Sequence, residues 1–238
     1  MSEESSGRSL MVRAQRLLGL DERPEVRPSA LRAFWDRHPW ALLLLMAPLG
    51  AMGGVLSALY ILKINEYPSV SYGLFVLPAA LAGWSASRPG HAALAGMTTL
   101  LCGVLGHAVG SRFIEYAQND LEYRGWLVIG LVAGALLGFW GHRLRSHQAM
   151  RRVMAAAMII GLLLAPVHRW YEGTSYPMEF VDPRVYVFDL CVISLVLIAC
   201  RGLAPRVFAL VISAPFVVIF HVLSLLSSIV LWRAGGGI

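Results

Sequence analysis

Seven apolar stretches, each close to the length that crosses a bilayer, constrain this chain more than any other feature. They cover residues 40–62, 70–86, 91–110, 126–141, 153–168, 185–200 and 207–232. A hydrocarbon core about 30 Å thick takes roughly 17–25 helical residues. Only helices or closed barrels satisfy every backbone group there. A composition that is 57% hydrophobic and 14% charged leaves almost no room for a soluble domain. The expected fold is all-α, a polytopic transmembrane helical bundle of seven spans over 40–238, preceded by a basic tail over 1–39.

Basic residues alternate across the connections. One side takes Arg8, Arg13, Arg16, Arg23, Arg27, Arg32, Arg37, Arg88, Arg143, Arg145, Arg151, Arg152, Arg201 and Arg206. The other side takes only Lys63, Arg112, Arg124, Arg169, Arg184 and Arg233. Basic loop residues stay cytoplasmic during insertion, so the N-terminus is expected inside and the C-terminus outside. An even number of crossings would spoil the alternation, which favours seven. The expected location is the inner (plasma) membrane, as a multi-pass protein. The net charge of +6 reads as this insertion signal plus attraction to anionic lipid heads, not as a nucleic-acid footprint. The first 39 residues are polar and arginine-rich, and the first span is too long for a signal h-region, so no cleavable signal peptide is expected. Within the tail, Ser29 is placed to cap a short helix over 30–38 that Pro39 would stop.

Glycines supply the sharpest local pattern. Gly130, Gly134 and Gly138, followed by Gly141, fall on one helical face, and Gly50 and Gly54 form a similar strip on the first span. A face without side chains lets another backbone approach closely, which is how helices pack when lipid removes the hydrophobic driving force. These five (Gly50, Gly54, Gly130, Gly134, Gly138) are therefore expected at helix contacts within one subunit, at a dimer interface or along a sliding seam.

Ionisable residues inside spans are costly and are functional candidates by default. They are His107, Asp189 and His221, with His168 at the outer mouth of the fifth span. The alternating topology puts His107 and Asp189 in one outer layer and His221 near the midplane. Two readings follow: polar links between helices, or an outer vestibule holding a cation, a proton or a small polar ligand. No HxxxH or HxH spacing supports a metal site. Cys102, Cys191 and Cys200 lie within spans, make no CxxC pair, and read as small core residues. No GxSxG, HExxH or Walker loop occurs, so neither catalysis nor a bound cofactor is expected.

The segment Ala82-Gly83-Trp84, then Arg88-Pro89-Gly90-His91 through Gly96, then Leu100 to Gly106, resembles an uncharacterised actinobacterial multispanning membrane-protein family, a domain of unknown function. The glycine stripe leading into Gly141-His142-Arg143-Leu144-Arg145 is similar to that family's second hairpin. The resemblance, over about residues 45–200, implies a compact helical bundle and no known activity. Function is accordingly expected among three classes. The first is small-solute binding or transport, or service as a membrane subunit of a larger complex. The second is a permease subunit of an ATP-driven exporter, with the ATPase docking on the arginine-rich face. The third is a scaffold or interaction protein. The expected partners are the lipid bilayer, a second copy of the chain, or an ATPase or other membrane subunit, with no nucleic acid.

Overall fold

The computed structural model describes residues 34–35, 37–64, 72–113, 120–165 and 187–234. All the regular structure among them is helical. The seven helices are α1 (Pro39–Ile64), α2 (Gly73–Ser85), α3 (Pro89–Arg112), α4 (Asp120–Leu144), α5 (Ala149–Leu164), α6 (Val187–Ala199) and α7 (Leu203–Ala234). Each apolar stretch becomes one helix. Four of them, α1, α3, α4 and α7, are long and apolar enough to cross a membrane, while α2 and α6 are shorter apolar helices. The 13 residues of α2 rise only about 20 Å at 1.5 Å each, against a core of about 30 Å. Length and composition therefore carry four crossings among the described residues, against the seven expected from the apolar stretches.

Several helices run past their apolar stretches. Arg143 lies on the last turn of α4, and Arg151 and Arg152 on the first turn of α5, so the connection between them shrinks to residues 145–148. Pro39 follows the end of a helical segment, His38 being non-helical, and is also the first residue of α1. Its fixed φ suits a first helical turn, where its missing N–H has no intrahelical acceptor to lose. Phe34, Trp35 and Arg37 are helical just ahead of it, and Ser29 lies outside the described residues.

Close backbone approach organises one half of the bundle. A Cβ on Gly50 would fall on the Thr99 carbonyl oxygen, one on Gly54 on that of Gly103, and one on Gly106 on that of Ala51. Positions along α1 and α3 rise together, so these helices run parallel with backbones in contact. On α4, Gly138 lies against Ala92 and Gly134 against Gly96 and Met97, the latter pair at 2.8 Å from a Cβ, so α3 and α4 run antiparallel. Gly83 of α2 meets Gly138 from another side. Gly130 differs: a Cβ there would meet only the Leu101 and Val104 side chains at 3.5 Å, ordinary contact.

In the other half, α5 is the interior helix. Ala155, Ala156, Ile159, Ile160 and Leu163 are essentially inaccessible, and they join Val76, Leu137, Trp140, Val192 and Val196 in one core. The last helix, α7, packs on α5 far more than on its sequence neighbour α6. Gly161 lies against Phe216 and Ser213, and Arg152 near the start of α5 lies close to Cys200 just before α7, so α5 and α7 run parallel. The outer surface is apolar. On α1, Leu45, Leu49, Met52, Leu56 and Leu59 form an exposed stripe, and α7 exposes Val207, Phe208, Val211, Val218 and Leu223. A large continuous apolar belt of this kind fits hydrocarbon, not water. The protein is a helical membrane protein.

Candidate functional site

The arginine-bearing turns gather at one end of the bundle, and the opposite end is organised around the first turn of α2. Tyr72 at its N-cap supplies no side-chain acceptor, so the first amides of α2 need an acceptor from elsewhere. Asp189, on the first turn of α6, supplies it: its Oδ1 accepts a hydrogen bond from the Gly73 N–H. The approach depends on Gly73 having no side chain, because a Cβ there would lie 2.8 Å from Oδ1 and from the Phe188 carbonyl. A carboxylate at the positive end of a helix is held by both the dipole and the charge-assisted bond. The buried charge of Asp189 is thus answered by backbone, a partner the sequence does not suggest.

His107 reaches the same turn from α3. Its ring stacks obliquely on Phe75, with centroids 5.9 Å apart, and lies against the Gly54 backbone of α1. Gly73 and Phe75 thus place Asp189 and His107 on two flanks of one helical turn. Aromatic rings close around it: Tyr72 faces Trp126 of α4, and Tyr60 of α1 meets Phe188 of α6 edge to face at 5.3 Å.

The junction of α1, α2 and α3 carries two polar atoms that the protein leaves without hydrogen-bond partners, His107 Nδ1 and Ser57 Oγ. Gly53 contacts α2 and Gly54 contacts α3, and Ser57 follows them by one turn on the same face. Gly54 is the α1 residue beside His107, since a Cβ there would lie 2.6 Å from the His107 backbone nitrogen, and Ser57 lies about a turn further along α1. Other hydroxyls on these helices fold back onto their own carbonyls, Thr99 onto Ala95, Ser111 onto His107, Ser194 onto Leu190 and Ser213 onto Leu210. Ser57 does not, although it is wholly buried. Its hydroxyl and the histidine nitrogen are two buried hydrogen-bonding groups left without partners at this junction. In the sequence Ser57 is marked by its place as a hydroxyl one turn beyond Gly54.

His221 lies on α7, buried, beside Phe220, which packs on Trp140. The neighbours of α7 are chiefly α5, then α4 and α6, so His221 stands with the second half of the bundle while His107 stands with the first. His168 and the outer loops around it lie outside the described residues. No three His, Cys, Asp or Glu side chains converge among the described residues.

With this geometry in place, the family match is informative. The model of DUF6518, a family of unknown function, matches residues 36–229. The chain belongs to that family. The match takes in α1 to α6 and α7 as far as residue 229, and it begins just before α1, leaving most of the basic tail outside. No curated protein and no solved structure is significantly similar to the chain.

Proposed function

We propose that this membrane protein binds a small polar solute, and moves it across the bilayer, through a site at the α1–α2–α3 junction. The observation that carries this reading is that His107 Nδ1 and Ser57 Oγ, both at this junction, are buried without partners. An unsatisfied polar atom costs about 1–3 kcal/mol when buried, and two at one helix junction add to the incentive to take a guest. A solute with both a donor and an acceptor suits a neutral histidine and a hydroxyl. Asp189 holds the adjoining turn of α2 in place rather than binding the guest.

The transport reading takes the seven helices as seven crossings. It places the arginine-bearing turns in the cytoplasm and the α2 N-terminus toward the outside of the plasma membrane. The 14-to-6 partition of Lys and Arg supports that orientation. No catalytic step is required of any residue in this reading.

The test is solute-dependent current from proteoliposomes on a solid-supported membrane, scanned over amino acids, sugars and monovalent cations. At least one solute should give a current in the wild type that His107→Ala and Ser57→Ala abolish. A silent wild type across the panel, or currents unchanged in both variants, refutes the proposal.

A further inference from the structure

The arginine-rich end holds a second feature, unrelated to the α2 turn. Arg152 is only 8% exposed, yet it is a cation on the first turn of α5. One terminal nitrogen donates to the Ser146 and His147 carbonyls at 2.7 and 3.2 Å, while its buried Nε–H has no acceptor. Arg201 lies close enough to repel it, and Arg152 and Arg206 both act electrostatically on the buried Cys200 thiol between them. Arg206 is itself anchored, its Nε donating to the Leu197 and Cys200 carbonyls at 3.0 and 3.1 Å. Arg201 is exposed.

Insertion topology accounts for arginines at this end but not for burying one beside another. The helix dipoles deepen the conflict. Parallel α5 and α7 both begin here, neither has an acidic residue in its first turn, and the Gln148 N-cap supplies no side-chain acceptor. Positive ends of two helices therefore meet three guanidinium groups, the reverse of the preferred arrangement. Among the described residues, Asp189 is the one carboxylate whose side chain is placed, and it lies at the opposite end.

We propose that Arg152 and Arg201, at the N-termini of α5 and α7, form a binding site for a phosphate group, supplied by the headgroup of an anionic phospholipid. A phosphate oxygen suits an unpartnered guanidinium N–H and free helix amides together. The lipid source follows from the surroundings: Leu203 is 76% exposed and Val207 and Phe208 are exposed beside it, giving the acyl chains an apolar wall directly below the charges.

The experiment uses the full chain in neutral detergent, titrated with phosphatidylglycerol or phosphatidylcholine. Separately it is titrated with inorganic phosphate against chloride at matched ionic strength. Bound lipid is read by native mass spectrometry and stability by the melting temperature. Phosphatidylglycerol should bind and stabilise where phosphatidylcholine does not. Arg152→Gln and Arg201→Gln should each weaken it about tenfold, the scale of one charge-assisted hydrogen bond. Arg88→Gln, at the same end but exposed on another turn, should bind as the wild type does. Stabilisation by inorganic phosphate alone keeps the phosphate site and overturns the lipid source. If neither ligand outperforms its control, or if Arg201→Gln binds like the wild type, the proposal fails. Arg201 is exposed, so its variant decides the matter even should Arg152→Gln not fold.

Discussion

Adding a single methyl group at Gly54 should destabilise the protein, while the same change at Gly130 should not. In Gly54→Ala the new Cβ falls on the Gly103 carbonyl oxygen and lies 2.6 Å from the His107 nitrogen and 2.8 Å from the Gly103 carbonyl carbon. Ordinary carbon contacts begin near about 3.5 Å, so the shortfall approaches an ångström. All three atoms are backbone, and none can rotate away. Relief requires α1 and α3 to separate, which loosens Gly50 against Thr99 and Gly106 against Ala51 as well. Overpacking of this kind costs about 1–3 kcal/mol. For a chain of this length each kcal/mol lowers the melting temperature by roughly 2–4 °C, so Gly54→Ala should lose about 2–12 °C. At Gly130 the nearest atoms are side-chain methyls at 3.5 Å. There the alanine keeps its helix-propensity advantage, up to about 1 kcal/mol, and the melting temperature should hold or rise. Fluorescence-detected size-exclusion melts of both variants in one detergent read the difference. Equal shifts in the two variants would refute the claim that backbone contact, rather than glycine content, sets the stability of this seam.

Asp189→Leu should cost about 1.5–3 kcal/mol by stripping the acceptor from the start of α2, and Asp189→Asn less, because an amide oxygen can still accept; a Leu variant as stable as the wild type would sink the capping role. Gly73→Ala should mimic Asp189→Leu in sign, since a Cβ would meet Oδ1 and the Phe188 carbonyl at 2.8 Å; a melt unchanged from the wild type would contradict it. In single-cysteine variants, a thiol-reactive dye should label the exposed Cys191 in folded protein but reach Cys200 only on melting, as Cys200 is wholly buried; equally fast labelling would contradict the packing of α6. Cysteines introduced at Ser5 and Gly236 of a cysteine-free variant should label from opposite sides of the membrane, and labelling of both from one side would overturn the odd span count.

The seven helices were legible because each coincides with an apolar run, and a membrane interior punishes an unsatisfied backbone so heavily that apolar length and helix nearly coincide. Boundaries were less legible. Arg143, Arg151 and Arg152 read as loop residues by charge, but long arginine side chains extend from a helix as readily as from a turn, and the helices continue through them. In the candidate site, His107 and Asp189 stood out as ionisable residues in apolar surroundings. Ser57 did not, because a serine in a membrane helix ordinarily bonds its own backbone, and only the fold reveals that this one does not.

What the sequence determined alone is the class of the protein and the identity of its small-residue faces, since both follow from local properties: apolar length, and residues recurring at three and four along a helix. Tertiary structure decided which faces meet. Gly54 against Gly103, Gly138 against Ala92 and Asp189 on the Gly73 amide join residues from 46 to 116 positions apart. The pairing of α7 with α5, in preference to the neighbouring α6, was equally out of reach. Every apolar helix in lipid is an acceptable neighbour for every other by composition; the choice among them rests on backbone fit and on a few buried polar atoms, and these exist only once the helices are side by side.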